Sequence, residues 1–319
     1  MGDVAAIAIG RNEGERLMRC LPSLKGQVEP VIYVDSGSTD GSVEAARNAG
    51  ADVVELDMSQ PFTAARARNA GLARLIEIAP EAEFVQFLDG DCELRDGWID
   101  TALKAIGEGD DIAVVCGRRR ERFPDASIYN RLIDAEWDTP VGEAKACGGD
   151  ALMRRDALDQ VNGYRDDLIA GEEPEMCYRM RQKGWRILRV DAEMTWHDAA
   201  ITRFGQWWQR NRRAGHAFVE VAALHGREPE RFWVAETRRV FIWGVGVPLA
   251  AGLGVLIFTP WAVGLLLAWP AQMVRLWVRG WPLENAMFVT LGRLPEAHGV
   301  LGYWIRQSIG RRKKLIEYK

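Results

Sequence analysis

The stretch FVQFLDGDCEL, residues 84–94, decides the reading of this chain. Four of its first five residues are apolar, so Phe84–Leu88 reads as a short strand buried on both faces, as in a parallel sheet. Asp89-Gly90-Asp91 then falls at the carboxyl end of that strand, where open α/β sheets place their ligands. Like charges this close need a cation between them or water around both. Gly90 permits a sharp turn and close approach of a ligand. Hard oxygen donors here suit Mg²⁺ or Mn²⁺. A polar turn closing a buried strand is the other reading, and this tripeptide alone does not separate the two.

Outward from this stretch, strands and helices alternate. Val4–Ile9, Pro30–Val34, Asp52–Leu56, Phe84–Leu88 and Ile112–Cys116 read as strands. Glu15–Leu24, Val43–Ala49, Phe62–Ile78 and Trp98–Ile106 read as helices, the first with Leu17, Met18, Leu21 and Leu24 at helical spacing. This order predicts an α/β fold with a mostly parallel central sheet and helices on both faces. From 117 to 202 the alternation loosens. A short strand is expected near Lys145–Gly148, a helix at Pro174–Gly184 and a strand at Arg186–Val190.

In the segment YRDDLIAGEEPEMCYRMRQKGW, residues 164–185, Gly171 breaks the chain and Pro174 suits a first helical position. Glu172 and Glu173 are therefore expected just before a helix, whose N-terminal partial charge favours ionised carboxylates. That suits a general base, and it equally suits ordinary helix-start stabilisers. His197, within Met194-Thr195-Trp196-His197-Asp198, reads either as a third metal ligand beside Asp91 or as a satisfied structural histidine.

The net charge of −4 conceals an asymmetry. Residues 1–202 carry 24 Lys+Arg against 38 Asp+Glu, and residues 203–319 carry 17 against 7. A basic second part suits an anionic membrane surface. Five cysteines, Cys20, Cys92, Cys116, Cys147 and Cys177, make no C-x-x-C pair. Their scatter argues against a zinc site or a disulfide framework and for a reducing compartment. Val4–Ile9 has no basic leader and does not read as a signal peptide.

From Val240 to Val274, 35 residues carry no charge, flanked by Arg238-Arg239 and Arg275. Val240–Phe258 is long enough to span a bilayer, Trp261–Val274 is short for one, and Thr259-Pro260 is the expected turn. Arginines at both ends and none at the turn place both ends in the cytoplasm. A full double span, a re-entrant hairpin and a buried core hairpin are all open. Eleven of the thirteen tryptophans lie from Trp185 onward, the pattern of interfacial anchors. Met287–Ile309 reads as a surface-lying amphipathic helix, and Arg311-Arg312-Lys313-Lys314 as a basic cluster for anionic headgroups.

Taken in order, five segments over roughly residues 3–215 resemble the family 2 glycosyltransferases of GT-A fold. AIAIGRNE carries Asn12-Glu13 of the family's first nucleotide-side motif, with Ile9-Gly10-Arg11 where the family has Pro-Thr-Tyr. VDSGSTDGS places Asp35 where the family reads the nucleobase. ARARNAGL places Arg68 and Asn69 near the donor. Asp89-Gly90-Asp91 matches the DxD motif. GEEPEMCYRMRQKGW resembles the Gly-Glu-Asp segment, with Glu173 where the catalytic Asp stands. Gly148-Gly149-Asp150 resembles the loop that holds the donor sugar.

The resemblance implies a UDP- or GDP-type nucleotide-sugar held by Ile9, Arg11, Glu13, Asp35, Arg68, Asn69, Asp89, Gly149 and Asp150. It implies Mn²⁺ or Mg²⁺ on Asp91, with Asp89 reaching the metal through water or holding the ribose. It implies Glu173 as general base, Glu172 as second candidate, and inversion at the anomeric carbon. Processive members carry Q-x-x-R-W, whereas Gln206 here is followed by Trp207-Trp208-Gln209-Arg210, so a single addition is expected. Arg210 and Arg213 are candidates for the diphosphate or a lipid-phosphate acceptor, or belong to a solvated basic helix.

The expected organisation is a GT-A domain at 1–215, an amphipathic linker at 216–239, a hydrophobic hairpin at 240–278 and a basic tail at 279–319. The expected activity is transfer of one sugar to a lipid-linked or polysaccharide acceptor at the cytoplasmic face of the bacterial inner membrane. Anionic lipids are expected partners and nucleic acid is not. The alternatives are a catalytically silent GT-A scaffold subunit and a nucleotidyltransferase. The latter wants a Gly-rich basic loop after the first strand, of which GRNEGERL is a poor version.

Overall fold

The computed structural model describes residues 4–309 and contains two compact units. The first runs to residue 126 and resumes over 133–200. The second takes 127–132 and the chain from 201. The basic cluster at 311–314 lies outside the described residues.

In the first unit the strands are β1 Val4–Gly10, β2 Val31–Asp35, β3 Asp52–Glu55, β4 Phe84–Asp89, β5 Cys92–Leu94, β6 Ile112–Glu121, β7 Gly142–Ala144, β8 Ala151–Arg154 and β9 Arg186–His197. They form one sheet in the order β3-β2-β1-β4-β8-β6-β9-β5, with β7 paired to β9. β3-β2-β1-β4 is parallel, and beyond β4 the sheet is mixed. The helices are α1 Leu17–Leu24, α2 Ser42–Asn48, α3 Ala64–Ile78, α4 Trp98–Ile106, α6 Arg155–Gln160 and α7 Glu172–Gln182, while α5 Ile128–Glu136 begins in the 127–132 stretch of the second unit.

β1 is central because Val4–Ile9 is apolar throughout and every one of those residues is buried. α3 starts where the Thr63 hydroxyl accepts the Arg66 N–H, an N-cap. It then lies close on β1: a methyl at Gly71 would sit 2.5 Å from Ile7 Cγ2. In α1 the buried stripe is Leu17, Cys20, Leu21 and Leu24, and Met18 faces solvent.

β6 and β9 run well past the expected ends at Cys116 and Val190. Their charged tails remain in the sheet because the charges are paired. Arg119 registers with Thr195 and Glu121 with His197, while Arg120 pairs with Glu193 at 2.7 Å. The strand expected at Lys145–Gly148 is instead a loop between β7 and β8. Its Cys147 and Gly148 amides donate to the Glu173 carboxylate, so no neighbouring strand receives them.

The second unit is helical. α8, Phe204–His225, crosses the boundary expected at 215. It packs backbone to backbone on the helix Arg293–Ser308: a methyl at Gly215 would fall 2.0 Å from the Glu296 carbonyl, and one at Gly299 2.1 Å from that of Arg212. Val219, Val240, Ala297, Val300 and Tyr303 form the small core of this unit. The uncharged stretch forms two helices, Val234–Ile257 of 24 residues and Pro260–Val278 of 19. They approach at Gly254, where a methyl would meet Ala262 Cβ at 2.6 Å. The amphipathic helix expected at Met287–Ile309 is two helices, Leu283–Leu291 and Arg293–Ser308.

Candidate active site

Three parallel strands end side by side. Ile9 registers with Asp89 of β4, and Gly10 with Asp35 of β2. The Gly90 N–H donates to the Ile9 carbonyl at 2.8 Å, which turns the chain sharply after Asp89. Asp35 is buried; its Oδ2 accepts the N–H groups of Gly37 and Ser38 at 2.8 and 2.7 Å. Asn12, in the left-handed region, joins this turn by accepting the Thr39 N–H at 2.8 Å. The Arg11 guanidinium lies 4.5 Å over the Phe62 ring, and Glu13 pairs with Arg16 at 2.9 Å.

Asp89 is held between two guanidinium groups. Arg68 from α3 donates to Oδ1 at 2.8 Å, and Arg119 from β6 donates to Oδ2 at 3.1 Å. Burial would lower both arginines' pKa values, but neighbouring carboxylates, Asp89 for Arg68 and Asp150 for Arg119, outweigh it and keep both charged. Asp150 is fully buried: Oδ1 accepts the Asp89 N–H at 3.0 Å and Oδ2 accepts the Thr195 hydroxyl at 2.9 Å. Trp137 lies against Arg119, its ring centroid 4.6 Å from Cζ.

Asp91 leaves this cluster and meets His197, with Oδ2 3.4 Å from Nε2. On the imidazole's other side, Glu121 Oε2 lies 3.4 Å from Nδ1, and the Trp137 ring packs edge-on at 4.4 Å. Burial, with the nearby Arg119 charge, lowers the His197 pKa and so favours the neutral ring. Glu121 beside Nδ1 favours the proton there, leaving the Nε2 lone pair toward Asp91. A carboxylate oxygen and a lone pair this close fit a cation between them, in the carboxylate–histidine–metal pattern. The donor set Asp91, His197 and Cys92 converges within ligand reach, and the carboxylate and imidazole suit Mn²⁺. The residues present fit the divalent ion expected from the sequence.

α7 opens on Gly171, left-handed at φ +78°, so Glu172 and Glu173 lie inside the first turn and not before it. Pro174 is tolerated there because first-turn N–H groups have no intrahelical partner. α7 is anchored by Arg179, which pairs with the fully buried Glu175 and donates to the Gly163 carbonyl at 2.8 Å. Glu172 Oε1 accepts from Arg68 at 2.9 Å, so a single guanidinium links it to Asp89. Glu173 points the other way, onto Cys147 and Gly148. Burial raises its pKa, against the hydrogen bonds it accepts.

Residues 7–161 match the family described as Glycosyl transferase family 2. These residues form a family 2 glycosyltransferase domain. The chain is 23% identical over 226 residues to glycosyltransferase AglE of Haloferax volcanii, covering 67% of this chain and 72% of that one. It is 27% identical to the pre-mycofactocin glycosyltransferase of Mycobacterium tuberculosis over 70% of this chain and 48% of that protein. It is 25% identical to the succinoglycan biosynthesis protein ExoA of Rhizobium meliloti, over 67% and 70%. The mannosyltransferase PcManGT of Pyrobaculum calidifontis, solved with GDP-Man and Mn²⁺, superposes with a TM-score of 0.64 at 19% identity over 94% of this chain and 87% of that chain. GalNAc-T7, solved with UDP, GalNAc and Mn²⁺, gives 0.55 at 15% over 76% and 50%. The GT-A fold expected from the sequence is the fold observed.

In this glycosyltransferase, Ile9, Arg11, Glu13, Asp35, Arg68, Asp89, Asp91, Gly149, Asp150, Glu172, Glu173 and His197 all lie in the first unit. A methyl at Gly149 would fall 2.7 Å from Asp89 Oδ2, so the loop presses on the DxD segment. Asn69 does not point to the strand ends. Its amide donates to the Tyr164 carbonyl at 2.8 Å and to Asp166, and its Oδ1 accepts the Tyr164 N–H. It ties down the 164–166 loop. Arg210 and Arg213 lie on α8 in the second unit. The sequence reading missed Arg119, Glu121 and Trp137. The run Arg118-Arg119-Arg120-Glu121 after an apolar strand was the available signal.

Proposed function

We propose that this enzyme transfers one sugar from a nucleotide-sugar to an acceptor hydroxyl with inversion, assisted by a divalent cation. The observation that carries this reading is the buried Asp91–His197 pair, 3.4 Å apart, beside the strand ends that hold Asp35 and Asp89. Two structural neighbours solved with nucleotide ligands and Mn²⁺ support it. Asp91 and His197 would hold Mn²⁺ or Mg²⁺. When bound, the ion supplies Lewis-acid stabilisation of the leaving nucleoside diphosphate.

The chain's own residues do the rest. Asp35 fixes the turn at 36–38 on which the nucleoside rests. Arg68 and Arg119 are positioned by Asp89, and Asp150 and Gly149 border the donor sugar. A carboxylate at the start of α7 takes the acceptor proton while the hydroxyl oxygen attacks the anomeric carbon.

The acceptor is lipid-linked or a polysaccharide, as the names of relatives in succinoglycan and O-antigen synthesis suggest. The two apolar helices carry this enzyme to the membrane. Leu256, Phe258 and Trp261 at the hairpin tip are 82, 83 and 87% exposed, a surface that suits hydrocarbon and not water. Arg238, Arg239, Arg275 and Arg279 at its base favour the cytoplasmic face.

A panel of UDP- and GDP-sugars with Mn²⁺, scored for nucleoside diphosphate release with and without chelator, tests this reading. Release from one donor that stops with chelator is expected. Release from none, or release indifferent to chelator, overturns it.

A further inference from the structure

We propose that Cys147, Glu173 and Cys177 form a site for a thiophilic cation such as Zn²⁺, separate from Asp91 and His197, and that filling it inhibits the enzyme. The binding stands on these three side chains alone. The inhibition rests on the transfer reading above, in which a carboxylate at the start of α7 takes the acceptor proton.

Nothing in the sequence spacing pairs Cys147 with Cys177, which are 30 positions apart. The fold does. Cys147 stands in the loop between β7 and β8, and Cys177 lies one turn along α7 from Glu173, on the same face. The two sulfurs are 4.0 Å apart, and they lie 3.0 and 2.9 Å from one oxygen, Glu173 Oε1. One ligand atom from each residue falls within 4.8 Å of the others. Two thiolates on one tetrahedral Zn²⁺ stand about 3.8 Å apart, because each Zn–S bond is about 2.3 Å. The sulfurs are thus already near the spacing of a shared ion. The carboxylate oxygen alone must draw back, to about 3.5 Å from each sulfur.

Without a cation the cluster is crowded. Oε1 also accepts the Cys147 N–H at 2.7 Å, so three donors meet an oxygen with two lone pairs. Burial raises the Cys147 pKa. At Cys177 the hydrogen bond with Cys147 lowers the pKa, and burial overrides it, to about 11. Both thiols therefore keep their protons at rest. On binding, Zn²⁺ takes the place of the two thiol protons, which pass to solvent, and no electron moves. Oε1 then holds the ion and the Cys147 N–H, and Oε2 keeps the Gly148 N–H at 3.0 Å.

Two sulfurs and one oxygen select Zn²⁺ or Cd²⁺ over the harder Mn²⁺. Glu173 and Cys177 are buried and Cys147 is half-buried, so the ion enters beside Cys147. A dication on Oε1 lowers the proton affinity of the whole carboxylate. It also ties that carboxylate to the loop whose Gly149 presses on Asp89.

Cd²⁺ titration of the full chain reads binding without turnover, through the ultraviolet charge-transfer band of cadmium thiolate. A phosphine reductant keeps the thiols unpaired. One saturable site per chain is expected, with about two protons released per ion. In Cys147→Ser and in Cys177→Ser the affinity falls more than about 100-fold, beyond the loss of an outer partner. Either variant decides if the other does not fold. Cys92→Ser, which removes the thiol beside Asp91, keeps the band. In the transfer assay at saturating Mn²⁺, Zn²⁺ lowers native nucleoside diphosphate release about tenfold or more. Cys147→Ser, scored against its own zinc-free rate, needs about 100-fold more Zn²⁺ for the same loss. No band in the native chain, an equal band in the Cys147 and Cys177 variants, or a band lost in Cys92→Ser overturns the site. A full band with release indifferent to Zn²⁺ overturns the inhibition. Release from no donor at all counts against the transfer reading, and the Cd²⁺ titration still decides the site.

Discussion

Nε2 of His197 lies 3.4 Å from Oδ2 of Asp91, with both side chains buried. Burial lowers the imidazole's pKa, and the reading proposed above makes these two atoms ligands of one cation.

Glu121 orients that imidazole from behind. Glu121→Gln is therefore expected to weaken Mn²⁺ binding about 10–100-fold while Asp91 and His197 stay in place. Calorimetric titration of the full chain checks it. Unchanged affinity would show that Glu121 does not set the ring.

The pH dependence has a definite sign. Burial lowers the His197 pKa below its ordinary 6.5. Between the lowered value and 6.5 the unfolded chain binds a proton that the folded chain lacks. Stability therefore rises with pH across that window and is lost as pH falls through it. Glu173, raised by burial, acts in the opposite sense as pH rises above the ordinary glutamate range. The thermal midpoint of the detergent-solubilised protein should drop on acidification below about 6.5, and His197→Gln should flatten that drop. An equal slope in the variant would remove His197 as its source.

Much of the parallel half was readable because its strands are apolar on both faces and end in Gly- and Asp-rich turns. Asp35, Asp89 and Asp91 stand at strand ends for that reason. The other half of the site was hidden by its charges. Arg118-Arg119-Arg120-Glu121 looks like a strand's end until its register with β9 sets Arg118 opposite Glu193 and the Arg120 side chain pairs with that same carboxylate. The nest around Glu173 joins residues 147 and 177, and no local pattern announces that meeting. The hairpin was legible because 35 uncharged residues between arginines have few other uses.

Arg119 touches Asp89, Asp150 and Cys92 at once. Removing it leaves the fully buried Asp150 carboxylate without its guanidinium, so Arg119→Met should cost about 3–5 kcal/mol. Denaturant unfolding of the full chain measures it, and a cost under about 1 kcal/mol would mean water replaces the guanidinium freely.

Gly149→Ala would place a methyl 2.7 Å from Asp89 Oδ2 and 3.0 Å from Arg68 Nη2. The loop must shift, and donor KM should rise about tenfold or more with the fold intact. A native KM would show that the loop yields without consequence.

The full-length chain is expected to stay with membranes through carbonate washing, and a chain ending at Arg239 to be released. Release of both would end the membrane reading.

The central claim is that Asp91 and His197 grip a divalent ion that serves nucleotide-sugar cleavage. It is tested most directly by Mn²⁺ paramagnetic resonance titration of the full chain, native and Asp91→Asn, with the nucleoside diphosphate of the preferred donor present. The account expects one saturable Mn²⁺ site per chain in the native protein and its loss in Asp91→Asn. Equal binding by both, or none by the native protein, would contradict it.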